Sequence, residues 1–352
     1  MMTLRKMMDH HESIPTNVAW YLADLGESRG KQELFTRQSP QRLQALREHA
    51  LIESAVSSNR IEGVEIDKSR IATIVFGKPL LRDRCEEEVS GYRQALDWIH
   101  EKGAALPISE ETILSLHRRT RGEIWDAGKY KEKDGDIIEK YPDGSSRVRF
   151  KTLAAAATPD AVKDMVTLRK TCLDRHEIHP LIVWAIFNLD FLCVHPFRDG
   201  NGRISRLLLL LECYHLGYEV GRYISLERLI EENKARYYET LEQSSQGWHE
   251  GKHNPWPYVN YLLYILKTAY KEFEDRMGRI KSPRGEKTAL VVHAIGSLSD
   301  IFRISEVQKR CSGVGIDLIR RTIKKLHSEG RVECMGRGQS ATWKKTGKWG
   351  NR

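Results

Sequence analysis

The chain of 352 residues contains no CxxC pair and no cysteine spacing suited to zinc; its six cysteines, Cys85, Cys172, Cys193, Cys213, Cys311 and Cys334, are scattered. Cys193 and Cys213 lie in apolar helical stretches and read as small core residues, so reduced thiols and no structural metal are expected. Long apolar runs are scarce as well. Leu207 to Leu211 is bounded by Arg206 and Glu212 and is too short to cross a bilayer. The opening residues, MMTLRKMMDHHES, carry no secretory apolar core. No membrane contact is therefore expected, and the cytoplasm is the expected compartment. The composition, 40% hydrophobic and 30% charged, is that of a globular protein, and the length exceeds one comfortable core.

The net charge of +9 is unevenly placed. From Lys281 to Arg352 there are 16 Lys and Arg against 6 Asp and Glu, a net of +10, which leaves 41 against 42 for everything before. Such asymmetry favours a nucleic-acid or acidic-partner contact for the last segment alone. Leu43, Leu46, Ala50, Leu51, Ile52, Ala55 and Val56 recur at helical spacing, and Ser58 to Gly63 closes that helix with a glycine where a left-handed cap is needed. Ile113 to His117, Val162 to Leu173, Pro180 to Val194 and Tyr258 to Phe273 read as further helices. Between them, Ile137, Ile138 and Val148, Phe150 flank Tyr141-Pro142-Asp143-Gly144, which reads as two short strands joined by a turn. After Lys281-Ser282-Pro283-Arg284-Gly285, a linker, helices are predicted over Thr288 to Leu298, Ser305 to Cys311 and Ile316 to His327. Strands follow over Arg331 to Met335 and Ala341 to Lys344, around Gly336-Arg337-Gly338. That order looks like a winged helix-turn-helix. Arg320, Arg321, Lys324 and Lys325 fall on its candidate recognition helix and Arg337 on the wing; protein docking or dimerisation is the competing use.

The densest chemistry is His195-Pro196-Phe197-Arg198-Asp199-Gly200-Asn201-Gly202-Arg203, followed by Arg206. A base, a carboxylate, an amide, glycines and guanidiniums in so short a run suit a metal-bound triphosphate. Gly200, Asn201 and Gly202 stand just ahead of the apolar run Ile204 to Leu211, so they should open a helix whose free N–H groups face an anion. Asn201 can hydrogen-bond a phosphate while the glycines let the backbone approach it. Arg203 and Arg206, three residues apart, can fork onto phosphates from one face of the helix's first turns. Asp199, a lone carboxylate beside phosphate oxygens, is the expected Mg²⁺ ligand.

The string HPFRDGNGRxxR resembles the signature of Fic proteins, H-x-F-x-D/E-G-N-G/K-R-x-x-R, and agrees at all eight specified positions. A second match, Ser58-Asn59-Arg60-Ile61-Glu62-Gly63, fits S/T-x-x-x-E-G/N, the inhibitory helix of the same family. The resemblance implies a mainly α fold with a small β-hairpin flap, to which the element order of the last segment adds a C-terminal winged helix (α+β) domain. It divides the chain into a helical region over 1–95 with the inhibitory helix at about 52–64, a catalytic core over 96–275, a linker over 276–286 and the winged helix over 287–345. It implies a protein adenylyltransferase that moves AMP from ATP, with Mg²⁺, to a Tyr, Ser or Thr hydroxyl of a target protein or of itself. In that reading His195 is the general base, which suits a side chain that titrates near working pH, and the flap holds the target segment by strand pairing. Gly202 stands where relatives of the Doc type carry Lys and transfer phosphate; a glycine leaves room for the triphosphate tail and favours AMP transfer. Glu62 is expected to pair with Arg206 in the place of the γ-phosphate. Opposite charges about 4 Å apart at an effective dielectric near 20 attract by roughly 4 kcal/mol before desolvation, enough to hold the enzyme off. Ser58, one turn before Glu62, is expected to brace that carboxylate or the helix. Tyr237 and Tyr238 resemble a pair that packs near the adenine. The alternatives are removal of AMP at the same site, and a DNA-binding regulator whose Fic domain senses nucleotide.

Overall fold

The computed structural model describes every residue outside 11, 37–39, 78–79, 141–142, 280–285, 297, 312–313, 337–340 and 347–352. The hairpin tip Tyr141-Pro142, most of the expected linker and the wing residue Arg337 lie outside the described residues. The chain divides into two compact units, Met1–Asp275 and Arg276–Arg352.

The first unit is helical apart from one hairpin. Its elements are α1 (Thr3–His10), α2 (Thr16–Thr36), α3 (Pro40–Ile61), α4 (Ile71–Phe76), α5 (Arg84–Lys102), α6 (Glu110–Arg121), β1 (Asp136–Lys140), β2 (Ser146–Lys151), α7 (Thr158–Arg175), α8 (Pro180–Val194), α9 (Asn201–His215), α10 (Leu226–Glu232), α11 (Lys234–Ser245) and α12 (Trp256–Arg279). Helix α8, PLIVWAIFNLDFLCV, is apolar on every side except at Asn188 and Asp190, and every residue from Leu181 to Val194 is buried. It is the axis of the unit, with α7, α9, α1 and α11 packed about it. Pro180 opens it at a position where a missing N–H costs nothing, and the His179 ring accepts from the Leu181 N–H at 3.1 Å. Helix α6 starts on Ser109, whose hydroxyl accepts from Thr112 N, carries Glu110 and Glu111 in its first turn and Arg118, Arg119 and Arg121 in its last. Both ends thus complement the helix dipole. Among the described residues no helix is long and apolar enough to cross a membrane.

Strands β1 and β2 pair antiparallel, with Ile137 opposite Phe150 and Ile138 opposite Val148. The register shifts between Ile137 and Ile138, where Arg149 of β2 is left without an opposite residue, and Ile138 and Val148 are exposed at 54% and 51%.

The second unit contains α13 (Glu286–Gly296), β3 (Ile301–Arg303), α14 (Ile304–Arg310), α15 (Ile316–Ser328), β4 (Val332–Cys334) and β5 (Thr342–Lys345). The expected two-stranded hairpin is in fact a three-stranded sheet in the order β3-β5-β4. Ile301-Phe302-Arg303 is too short to show a period, yet Phe302 is fully buried opposite Trp343 and fixes the register.

Candidate active site

The site is built where α8 ends and α9 begins. His195 takes a left-handed conformation, φ 51°, that stops α8 while its N–H still bonds Phe191 O at 2.9 Å. Among the described residues only His176 shares a positive φ without being glycine, and such a backbone is held by its surroundings rather than by preference. Those surroundings are visible: Lys131 donates from its backbone to Pro196 O at 2.9 Å and from Nζ to Val194 O at 3.2 Å and Thr152 Oγ1 at 2.9 Å.

The His195 ring presents Nδ1 to Leu192 O at 3.3 Å. A carbonyl only accepts, so Nδ1 carries the proton and Nε2 keeps its lone pair for the cavities that His195 borders. Burial, and after it the Lys131 cation, lower the His195 pKa to about 4. The imidazole is neutral at pH 7.

Phe197 and His117 clamp the turn. The two rings stack with centroids 3.8 Å apart and planes 3° from parallel. His117, fully buried, accepts from Gly128 N at Nδ1 (2.9 Å), which leaves Nε2–H to donate to Asp199 O at 3.1 Å. Burial lowers its pKa to about 4 and keeps it in that neutral, doubly satisfied state.

Gly200, at φ 84°, caps α9 in a conformation that glycine adopts without strain. Asn201 behaves differently from expectation. Its Oδ1 accepts from Phe197 N at 2.9 Å and its Nδ2 donates to Phe197 O at 2.7 Å, and the residue is 2% exposed. It closes the turn on itself instead of facing a phosphate. Arg203 also departs from its expected part: Nη1 meets Glu88 of α5 at 2.7 Å and Asn59 Oδ1 at 3.3 Å, with Asp199 3.6 Å from Nη2. In a site this dry an unpaired guanidinium would be costly, so α5 supplies its counter-charge.

Asp199 is half exposed, takes the Gly200 N–H at 2.6 Å and pairs with Arg121 at 2.6 Å. Burial pushes its carboxyl up, but Arg203 and Arg121 outweigh this and the pKa is lowered. Arg121, Glu88 and Asp126 complete a charge cluster that sequence reading missed. These partners sit on α5, α6 and the loop after α6, with no local pattern tying them to the motif.

Arg206 is the end point of the arrangement. It is fully buried; Nε donates to Ser58 Oγ at 2.8 Å, and Nη2 to Ser58 O at 2.9 Å and to Glu62 Oε1 at 2.7 Å. Of the two expected uses of Ser58, bracing the carboxylate or the helix, the first is not what these bonds show: its hydroxyl and carbonyl both hold Arg206. Burial works against the Arg206 charge, and Glu62 more than compensates, so its pKa is raised. Its Nη1, also buried, has no hydrogen-bond partner among the described residues. Gly63, at φ 83°, ends the segment after α3 and lets Glu62 turn toward α9.

Glu62 borders a cavity together with His195, Gly202, Tyr238 and the flap residues Ile137 and Arg149. Arg149 lies 5.3 Å over the Tyr238 ring and bonds Tyr238 O at 2.6 Å, while Glu242 of α11 holds Arg147 at 2.9 Å and Arg149 at 3.1 Å. Tyr237, 2% exposed, packs mainly among Tyr238, Tyr258 and Tyr261. A second cavity, lined by Trp125, Lys131, Asp136 and Arg198, reaches His195 from the other side.

A helical unit wrapped about one apolar helix, with a hairpin beside a glycine-opened helix, defines the class. Residues 107–213 match the Fic/DOC family. A protein adenylyltransferase Fic from Nematostella vectensis is 27% identical over 206 residues, which cover 54% of this chain and 42% of that protein. Protein adenylyltransferase fic-1 from Caenorhabditis briggsae is 27% identical over 180 residues, 51% of this chain and 30% of that one. The chain thus spans less than half the length of the curated relatives it matches. In fold it is similar to a Fic family protein from Desulfovibrio desulfuricans, with a TM-score of 0.61 over 97% of this chain and 99% of that one at 20% identity. A Fic domain containing signaling protein from Bacteroides thetaiotaomicron gives 0.60 over 75% and 98%, also at 20% identity.

Proposed function

We propose that the Fic domain transfers AMP from ATP to a Tyr, Ser or Thr hydroxyl of a target protein, possible self-modification included, and that Glu62 holds it off at rest. The observation that carries this is the seat of Glu62. Its carboxylate lies at the head of α9 against Gly202 and bonds Arg206, whose buried Nη1 is left without an acceptor. Free helix N–H groups, a buried guanidinium and a backbone bared by glycine form an anion seat, and the chain's own carboxylate occupies it.

In the reaction the acceptor oxygen attacks the α-phosphorus, its proton passes to His195 Nε2, and the bond to the bridging oxygen breaks to release pyrophosphate. The α9 backbone at Gly202 and the Arg206 guanidinium stabilise charge on the departing phosphates. Arg203 and Asn201 act one step back, fixing the turn that aims these groups. Gly202, where a lysine would fill the seat, favours the orientation that delivers AMP. Asp199 fits a Mg²⁺ that arrives with the nucleotide: its carboxylate is ionised, half exposed and retains free lone pairs, and a single carboxylate with phosphate oxygens suffices for that ion. Bound there, Mg²⁺ would supply neutralisation of phosphate charge.

A second reading, removal of AMP from a modified hydroxyl, is favoured by one observation: Glu62 and His195 border the same cavity, so the carboxylate could orient a hydrolytic water.

The deciding experiment incubates the parent, Glu62→Gly and His195→Ala proteins with Mg²⁺ and α-labelled ATP and reads intact mass in parallel. Labelling weak in the parent, raised about fivefold or more in Glu62→Gly and absent in His195→Ala is expected. Equal labelling of parent and Glu62→Gly removes the autoinhibition; undiminished labelling by His195→Ala removes the base. Loss of AMP release from a pre-modified target in Glu62→Gly would turn the assignment to the second reading.

A further inference from the structure

The second unit holds a charge excess that AMP transfer does not use. Its elements follow the order α13-β3-α14-α15-β4-β5, with β5 central in the sheet. Helix α15 packs on α13, α14 and β4 through Ile319, Thr322, Ile323 and Leu326, all buried. Its opposite face is fixed by that packing. Asp317, Arg320, Arg321, Lys324, Lys325 and Ser328 are exposed, and no apolar side chain is exposed along the helix.

The cations on this face are weakly engaged. Arg320 approaches Asp317 only at 3.8 Å, and Lys325 approaches Glu329 at 3.8 Å. Among the described residues Arg321 and Lys324 meet no carboxylate. This contrasts with the first unit, where Arg121, Arg203 and Arg206 all have carboxylate partners. A face of four cations in a segment of net charge +10 complements a polyanion.

The chemistry of the face selects among polyanions. Protein interfaces centre on apolar or aromatic anchors, and α15 offers none outward. A helix fits the major groove of B-form DNA, about 12 Å wide, and does not enter the deep, narrow major groove of A-form RNA. With 13 residues α15 is about 20 Å long, enough to lie in that groove. The third of three helices beside a small antiparallel sheet is also where helix-turn-helix proteins carry their reading helix.

We infer that α15 binds duplex DNA in the major groove, with Arg320, Arg321, Lys324 and Lys325 on phosphates and guanine edges. This does not rest on the proposed transfer reaction. The test uses the full chain and a labelled mixed-sequence duplex of about 20 base pairs, roughly two turns, followed by anisotropy between roughly 50 and 200 mM salt. The parent binds with affinity that falls steeply with salt. Arg321→Ala/Lys324→Ala binds at least about tenfold more weakly and lowers the slope of log K against log salt by about 2. Both side chains are exposed and alanine favours helix, so an unchanged thermal midpoint certifies the variant's fold. Lys163→Ala, an exposed cation on α7, leaves binding unaltered. The inference is overturned if the parent fails to bind, if the double variant binds like the parent, or if duplex RNA or polyglutamate competes as well as the DNA. Competition by polyglutamate would make the face an acidic-protein dock.

Discussion

The Glu62 carboxylate occupies the space in which a Cβ on Gly202 would have to sit. A docked Glu62 and a side chain at position 202 thus exclude each other, and the glycine does more there than admit a phosphate. It makes the docking of Glu62 possible, and with it the ion pair to Arg206 at 2.7 Å.

That exclusion predicts a thermodynamic coupling. Gly202→Ala should destabilise the parent by about 1–2 kcal/mol, because it evicts a carboxylate from a buried arginine. In a Glu62→Gly background the same substitution should cost much less, since nothing remains to evict. Urea denaturation of the four proteins measures the coupling; an equal cost in both backgrounds would mean that Glu62 does not sit against Gly202 in solution.

Asn201 offers a second test, of position and not of chemistry. Its amide satisfies both the N–H and the C=O of Phe197 inside a buried turn. Asn201→Ala strands both groups and should lower stability by about 2–4 kcal/mol. If Asn201 instead faced solvent and phosphate, the loss would stay within about 0.5 kcal/mol, and nucleotide affinity alone would suffer.

The contrast between these residues explains how much the sequence could reveal. The helix opened by Gly200, the existence of a hairpin from Ile137, Ile138 and Val148, Phe150, and the meeting of Glu62 with Arg206 were legible, the first two from local spacing and the last from the paired motifs. The direction of each polar side chain was not. Arg203 turns to Glu88 and Asp199 to Arg121 because α5 and α6 bring counter-charges from distant sequence, and periodicity reports only which face a residue occupies. His117 was hidden for the same reason. It reads as one residue of an amphipathic helix, yet it stacks on Phe197 and bonds the Asp199 backbone. Strand β3 escaped because three residues cannot display a period of two, and its existence depends on the partner β5.

Buried neutral histidines predict an acid-sensitive fold. His117 and His253, 0% and 1% exposed, both have pKa values lowered to about 4 by burial. An unfolded histidine titrates near 6.5. The unfolded chain therefore takes up these protons first, so their contribution is complete above pH 6.5 and is lost as pH falls from there toward 4. The stability read by urea denaturation at pH 7, 6, 5 and 4.5 should fall, with a total loss on the order of 5 kcal/mol for the two groups together. Stability that stayed level down to pH 5 would contradict the neutral assignment.

His195 is a sharper case, because its protonation state is its function. Burial and the neighbouring Lys131 cation both disfavour the imidazolium, and the Nδ1 contact to Leu192 O fixes the tautomer. The ring should therefore titrate at about 4 in the free protein, which leaves Nε2 unprotonated throughout the physiological range. An NMR titration of the imidazole signal that disappears in His195→Ala gives the value directly. Lys131→Met removes the nearby positive charge while keeping most of the side chain's bulk, so the His195 midpoint should rise from about 4 while burial still holds it below 6.5. A midpoint already near 6.5 in the parent would show the ring to be solvated, and a midpoint unmoved by Lys131→Met would leave desolvation as the only cause. If both expectations hold, the base is kept neutral by burial and, after it, by the same lysine that bonds Val194 O and Pro196 O. The left-handed turn at His195 and its chemical readiness then share a support: Lys131 holds the backbone while its charge adds to burial in keeping the proton off.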